Sequence, residues 1–224
     1  MLGLMVIGAA LIYLILWIGV TAWTYRWAKR QGYSKGRASG VSFTAFFVMW
    51  LLVFWDWIPT VAAHKYYCAK EGGFTVYKSL EQWKKENPGV VETLTPYTYV
   101  RVKDKDKGFN PLLGLPYKEL SPGTGYYVSW LNERIYYDSK LEKDITKPFP
   151  VHKWIVLVAD SKTGSKLSEF VYFTSGYAPA MTTGGLSGFK FWLAYPECTG
   201  EQMKNSKREY MKFLNSTIYL GEKK

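Results

Sequence analysis

Two long apolar runs open the chain, and beyond residue 63 the apolar positions break into short stretches separated by Gly, Pro, Lys and Asp. Met1 to Tyr25 carries no charged side chain, and Val41 to Ala63 carries one, Asp56. Lipid offers the backbone no hydrogen bonds, so a spanning segment satisfies its own as a helix, and about 20 residues cross the hydrocarbon. Both runs are long enough. The pattern predicts an N-terminal two-helix transmembrane hairpin over residues 1–63. The first run is not expected to behave as a cleaved signal, because no basic segment precedes it and no soluble stretch separates it from the second.

Positive charge orients the hairpin. The connector 26–40 holds Arg26, Lys29, Arg30, Lys35 and Arg37 with no acid against them. Basic residues in a short loop beside a spanning helix stay on the cytoplasmic side. The connector is therefore expected in the cytoplasm of a bacterial cell. The chain would pass twice through the inner membrane, with its N-terminus and residues 64–224 on the periplasmic side. Trp17, Trp23 and Trp27 towards the inner end of the first run, and Trp50, Trp55 and Trp57 towards the outer half of the second, suit the headgroup level. Asp56, between those last two and just before Pro59, reads either as an interfacial acid that ends the helix or as a contact to a partner helix or basic group.

Residues 64–224 are enough for one sizeable core. Phe74 to Tyr77 reads as a short strand. Ser79 followed by Gln82 predicts a capped helix through Leu80, Trp83 and Glu86, with Leu80 and Trp83 on one buried face. Strands are expected over Tyr97 to Lys103, Gly125 to Trp130 and Arg134 to Tyr137, with Leu131 to Glu133 as the last reversal. The clearest hairpin pairs Trp154 to Ala159 with Leu167 to Phe173 across a turn at Asp160 to Gly164. A further strand at Phe189 to Leu193 and a helix from Glu201 to Leu214 complete the reading. The fold class is an extramembrane α+β domain with a mainly antiparallel sheet.

The only two cysteines, Cys68 and Cys198, both fall in the part expected outside, where thiols oxidise. They are the candidate disulfide. The competing arrangement is a metal set of His64, Cys68, His152 and Cys198, in which His64 and Cys68 stand four apart as helical ligands do. It needs reduced thiols and two long-range coincidences. Otherwise His64 is expected at the headgroup level and His152 at a strand edge.

No catalytic motif rises above background, and no cofactor is implied. Ser175, His152 and Asp160 could be named as a hydrolase set, but no GxSxG surrounds a serine. Walker A, GxGxxG, HExxH and CxxCH patterns are missing. The Gly- and Thr-rich segment Thr174 to Lys190 reads as a binding loop or a long surface connection, with Tyr177 and Met181 as its apolar anchors. From His64 onward, 24 basic residues face 17 acidic ones, a balance of +7. Such a surface suits anionic headgroups or an acidic partner. The basic residues do not cluster as a nucleic-acid module does. The leading expectation is a membrane-anchored, non-catalytic subunit or interaction protein whose partners are other integral membrane subunits and the bilayer. The alternatives are an envelope enzyme, such as a hydrolase of lipid or cell-wall material, and an assembly factor or sensor for a membrane complex.

Overall fold

The computed structural model describes residues 2–94, 108–109, 116–121, 126–177 and 185–221. It divides into two compact units, Met1–Pro59 and Thr60–Lys224.

The first unit is built on two helices, α1 (Leu2–Arg30) and α2 (Lys35–Phe54). Only residues 31–34 separate them, so most of the expected basic connector is helical. Lys29 and Arg30 lie in the last turn of α1, where positive charge complements the helix dipole. Gly32 takes φ +78°, a left-handed turn that suits glycine. Ser34 caps α2, its side chain accepting from the Arg37 amide at 3.5 Å. The helices are tied by polar side chains. The Tyr13 hydroxyl donates to the Met49 carbonyl. Trp17 Nε1 donates to the Phe46 carbonyl at 3.0 Å, and Ser42 Oγ to the Thr21 carbonyl at 2.8 Å. Ala28 and Ala38 are wholly buried, as small side chains at a close helix contact are. Ile12, Ile15, Ile18, Phe43 and Leu52 point outward and are exposed. Among the described residues one helix, α2, is long and apolar enough to cross a membrane.

The second apolar run is not one helix. It breaks at Trp55 and Asp56, and α3 (Trp57–Glu71) starts anew. Pro59 sits in the first turn of α3, where its missing N–H leaves no bond unmade. From Thr60 onward α3 belongs to the second unit. Thr60 is fully buried, and Ala63, Tyr67 and Cys68 pack on that unit's core. The apolar residues up to Ala63 thus divide between two environments.

In the second unit the described strands form an antiparallel sheet: β1 (Gly73–Val76), β2 (Gly108–Phe109), β3 (Pro116–Ser121), β4 (Tyr126–Trp130), β5 (Ile135–Glu142), β6 (Val151–Asp160) and β7 (Lys166–Ser175). Their order is β1-β7-β6-β5-β4-β3-β2. Beyond β7–β1 the chain therefore steps through neighbouring hairpins. β5 continues past Tyr137 to Glu142 because its polar half stays in register with β6, down to Glu142 opposite Lys153. The expected strand at 97–103 lies outside the described residues.

Helix α4 (Leu80–Glu86) forms as its cap implies, with Ser79 Oγ accepting from the Gln82 amide at 3.1 Å. Trp83 is fully buried and Leu80 packs on the core. Helix α5 (Glu201–Ile218) lays Met203, Tyr210, Leu214 and Thr217 inward. Tyr210 stacks on Phe170 of β7, with ring centres 4.7 Å apart. The segment expected as a strand at Phe189 to Leu193 instead forms two short 3-10 helices, Gly185–Phe189 and Phe191–Leu193. Its backbone bonds close locally, Lys190 to Ser187 and Leu193 to Lys190. Leu193 is buried while Phe191 is exposed, so the run has no strand-like face.

Candidate functional site

Two side chains of α3 and one 130 residues further along the chain meet where α3 runs beside β7 and the start of α5. Cys68 and Cys198 are joined by a disulfide, with S–S 2.04 Å and Cα–Cα 5.5 Å across 130 residues of separation. One helical turn before Cys68, on the same face of α3, lies His64. It is buried, because α3 packs against the sheet here. Its Nε2 is 3.1 Å from the Phe173 carbonyl, which can only accept, so Nε2 carries the proton. Nδ1 is then the acceptor nitrogen, and Cys68 Sγ lies 4.0 Å from it and 3.7 Å from Nε2. One ring nitrogen and both sulfurs lie within 4.8 Å of one another.

Cys198 is the more enclosed sulfur. It is buried, and the Phe173 amide donates to it at 3.3 Å. Three residues further on, α5 begins at Glu201, so the positive end of that helix is close in sequence. Cys68 is half-buried. Both cysteines face a pocket of about 300 Å³, lined also by His64, Lys65, Glu201 and Met203. Gly72 closes one wall. A Cβ there would stand 2.6 Å from the Cys68 carbonyl and 2.7 Å from Met203 Cε, so only glycine fits.

Of the four residues considered as metal ligands, three gather and the fourth does not. His152 lies on β6, with Nε2 2.7 Å from the Gly176 carbonyl and Nδ1 accepting from the Asp144 amide at 3.2 Å. His64, Cys68 and Cys198 gather without His152, and in this structure the sulfurs are bonded to each other.

The hydrolase set does not assemble. Val151 pairs with Ser175, so Ser175 and the next residue, His152, point to opposite faces of the sheet. Ser175 Oγ donates to the Leu193 carbonyl at 2.7 Å. Asp160 ends the same strand nine residues from Val151, roughly 30 Å away at strand spacing.

Asp160 instead organises a second polar cluster that sequence reasoning missed. Its carboxylate accepts from Arg134 Nε at 2.8 Å, from Trp83 Nε1 at 2.7 Å, and from the Lys162 and Thr163 amides. Arg134 also donates to Asn87 Oδ1 at 2.9 Å and lies over the Trp83 ring. Burial would push the Asp160 carboxyl up, but the Arg134 and Trp83 bonds and the two amides outweigh it and hold the pKa at about 2. Next to it, buried Asn132 accepts from the Arg134 and Ile135 amides and donates to the Thr217 carbonyl. The cluster pins α4, the β4–β5 reversal, the β6 turn and α5. Each member is satisfied by another protein group, so the arrangement is a structural one.

The remaining expected contact residues are dispersed. Asp56 is buried at the break after α2, while Trp55 and Trp57 beside it are exposed. Tyr177 follows β7 and is partly exposed, and Met181 lies outside the described residues. The structure thus defines an α+β domain closed by one long-range disulfide and preceded by an apolar helix. Comparisons with protein-family models, with curated proteins and with solved structures gave no match.

Proposed function

We propose that the protein is a membrane-anchored, non-catalytic subunit or interaction protein of the bacterial inner membrane. In this reading α1 and α2 both cross the bilayer, and the disulfide-closed domain works on the periplasmic face. The observation that carries it is the inverted burial of the helix pair. Its outward side chains are Ile, Leu and Phe, whereas its buried ones include Ala28 and Ala38. Water penalises that arrangement and lipid does not. At 20 residues, α2 spans about 30 Å, the thickness of the hydrocarbon. Arg26, Lys29, Arg30, Lys35 and Arg37 at the α1–α2 turn favour the cytoplasm for that end. The disulfide supports an oxidising compartment for the other. The domain, with 24 basic residues against 17 acidic ones from His64 onward, would then meet anionic headgroups or an acidic face of a neighbouring membrane subunit.

Extraction of the native protein in mild detergent tests the reading. A complex heavier than the 25.8 kDa chain plus its micelle is expected, with membrane proteins in it. A monomer across several detergents would remove the subunit role. Reporter fusions after Glu71 and within residues 31–34 test the topology separately. A cytoplasmic signal from the first fusion would reverse it.

A further inference from the structure

The cystine has features that a purely mechanical staple does not need. A pocket of about 300 Å³ is lined by both cysteines, and a buried imidazole stands beside Cys68. The two sulfurs also differ. Cys68 is half-buried on the pocket wall, whereas Cys198 is buried and already accepts the Phe173 N–H. Thiol exchange requires an attackable sulfur, a leaving sulfur whose anion is stabilised, and a path to the first.

We propose that Cys68–Cys198 is a thiol-exchange site that takes a dithiol through this pocket, with Cys68 as the attacked sulfur and Cys198 as the leaving one. One thiolate of the dithiol attacks Cys68 Sγ. A new S–S bond forms between the two, the Cys68–Cys198 bond breaks, and its electron pair stays on Cys198. The proton of the incoming thiol passes to His64 Nδ1, while Nε2–H remains on the Phe173 carbonyl. The Cys198 thiolate then faces the Phe173 amide and the new imidazolium, two groups that favour an anionic sulfur. The second thiol of the dithiol attacks the mixed disulfide at the incoming sulfur. The dithiol leaves as a cyclic or protein disulfide, Cys68 leaves as a thiolate, and protons from the second thiol and from His64 leave both cysteines as thiols. Two electrons pass to the chain, and the dithiol is oxidised by the same two. Lys65 on the pocket wall favours the approach of an anionic thiolate.

The experiment uses the full chain in detergent without denaturant. Dithiothreitol is added, free thiols are trapped by alkylation at intervals and counted by mass, and tryptophan fluorescence reports the fold. The expected result is a reduction rate proportional to dithiothreitol concentration while the fluorescence stays native. A rate independent of dithiothreitol and equal to the unfolding rate would overturn the proposal, since the bond would then open only when the domain does. His64→Gln should slow the reaction by about fivefold or more at unchanged melting temperature. An unchanged rate would remove the histidine's part. In single variants challenged with oxidised glutathione, Cys198→Ser should form a mixed disulfide at the half-buried Cys68 about tenfold faster than Cys68→Ser forms one at Cys198, because burial of Cys198 limits the approach of glutathione. The reverse order would overturn the assignment of attacked and leaving sulfur. The wild-type kinetics stand alone if either variant does not fold.

Discussion

The helix pair of residues 2–54 and the domain that begins at Thr60 use the same kinds of side chain in opposite ways. In the helix pair the large apolar groups face out, and the cross-helix contacts are made by Tyr13, Trp17, Ser42 and two alanines. In the domain, Trp83, Phe173, Leu131 and Leu214 are wholly enclosed, and the polar groups buried around Asp160 and Asn132 form satisfied clusters. The proposed membrane placement accounts for the difference. If hydrocarbon surrounds the helix pair, its apolar side chains gain nothing by turning inward, and small or hydrogen-bonding residues hold the contact. Where water surrounds a sheet, removal of apolar area from solvent drives packing, and each buried polar atom then needs a partner.

The sharpest way to break this contrast is at the polar core of the domain. Asp160→Asn leaves Arg134 buried without its counter-charge, and the expected loss is about 3–5 kcal/mol in denaturant unfolding of the domain. Close behind comes a matched pair of truncations. Leu131→Ala should cost about 2–5 kcal/mol, because Leu131 is wholly enclosed. Leu52→Ala, at an outward position 67% exposed, should cost less than about 0.5 kcal/mol in detergent. Equal losses from the two would erase the distinction. Val48→Lys, in the apolar part of α2, should raise its insertion free energy by about 3 kcal/mol and lower the share of chains in which a periplasmic reporter fused after Glu71 is active. An unchanged reporter signal would show that α2 is held by something other than lipid.

Acid gives a smaller effect confined to the domain. The Asp160 carboxyl titrates at about 2 in the fold against an ordinary 3.8. A lowered pKa means that the folded state binds the proton less readily than the unfolded one. Its stabilisation is complete above about pH 4–5 and fades as pH falls through 2, a loss on the order of 2 kcal/mol. Unfolding midpoints from pH 5 to 2 should show this slope, and Asp160→Asn should flatten it. A slope of the same size in the Asn variant would assign the acid sensitivity elsewhere. Gly72→Ala should cost about 1–3 kcal/mol in denaturant unfolding of the domain, because its Cβ would stand 2.6 Å from the Cys68 backbone carbonyl.

Much of the fold was legible locally. Ser79 announced α4 through its cap, and the Asp160–Gly164 turn announced the β6–β7 hairpin. The terminal helix was legible from Glu201 to Leu214, and α5 runs one turn further, to Ile218. The pairing of Cys68 with Cys198 followed from there being only two cysteines. What stayed hidden was of two kinds. Asn132, Arg134, Asp160 and Trp83 carry no spacing signal, since their neighbours in space come from four elements. His64 and Ala63 looked like the outer end of a membrane run, because apolarity reads alike whether lipid or a protein core receives it. The 3-10 turns after Gly185 were missed for a related reason: Phe189 to Leu193 has strand-like composition, but only Leu193 among the large side chains at 191–193 finds a buried seat.

The order of residues was sufficient for the apolar helices, the charge between them, the caps, the main hairpin and the cystine. These depend on neighbours within a few positions, or on there being no other choice. Folding in three dimensions was needed to divide the second apolar run at Trp55–Asp56. It was also needed to seat His64 beside Cys68 and Cys198, and to gather Asp160 with its four donors. Those outcomes turn on which surfaces meet across scores of residues, and meeting is a property of packing that no local pattern encodes.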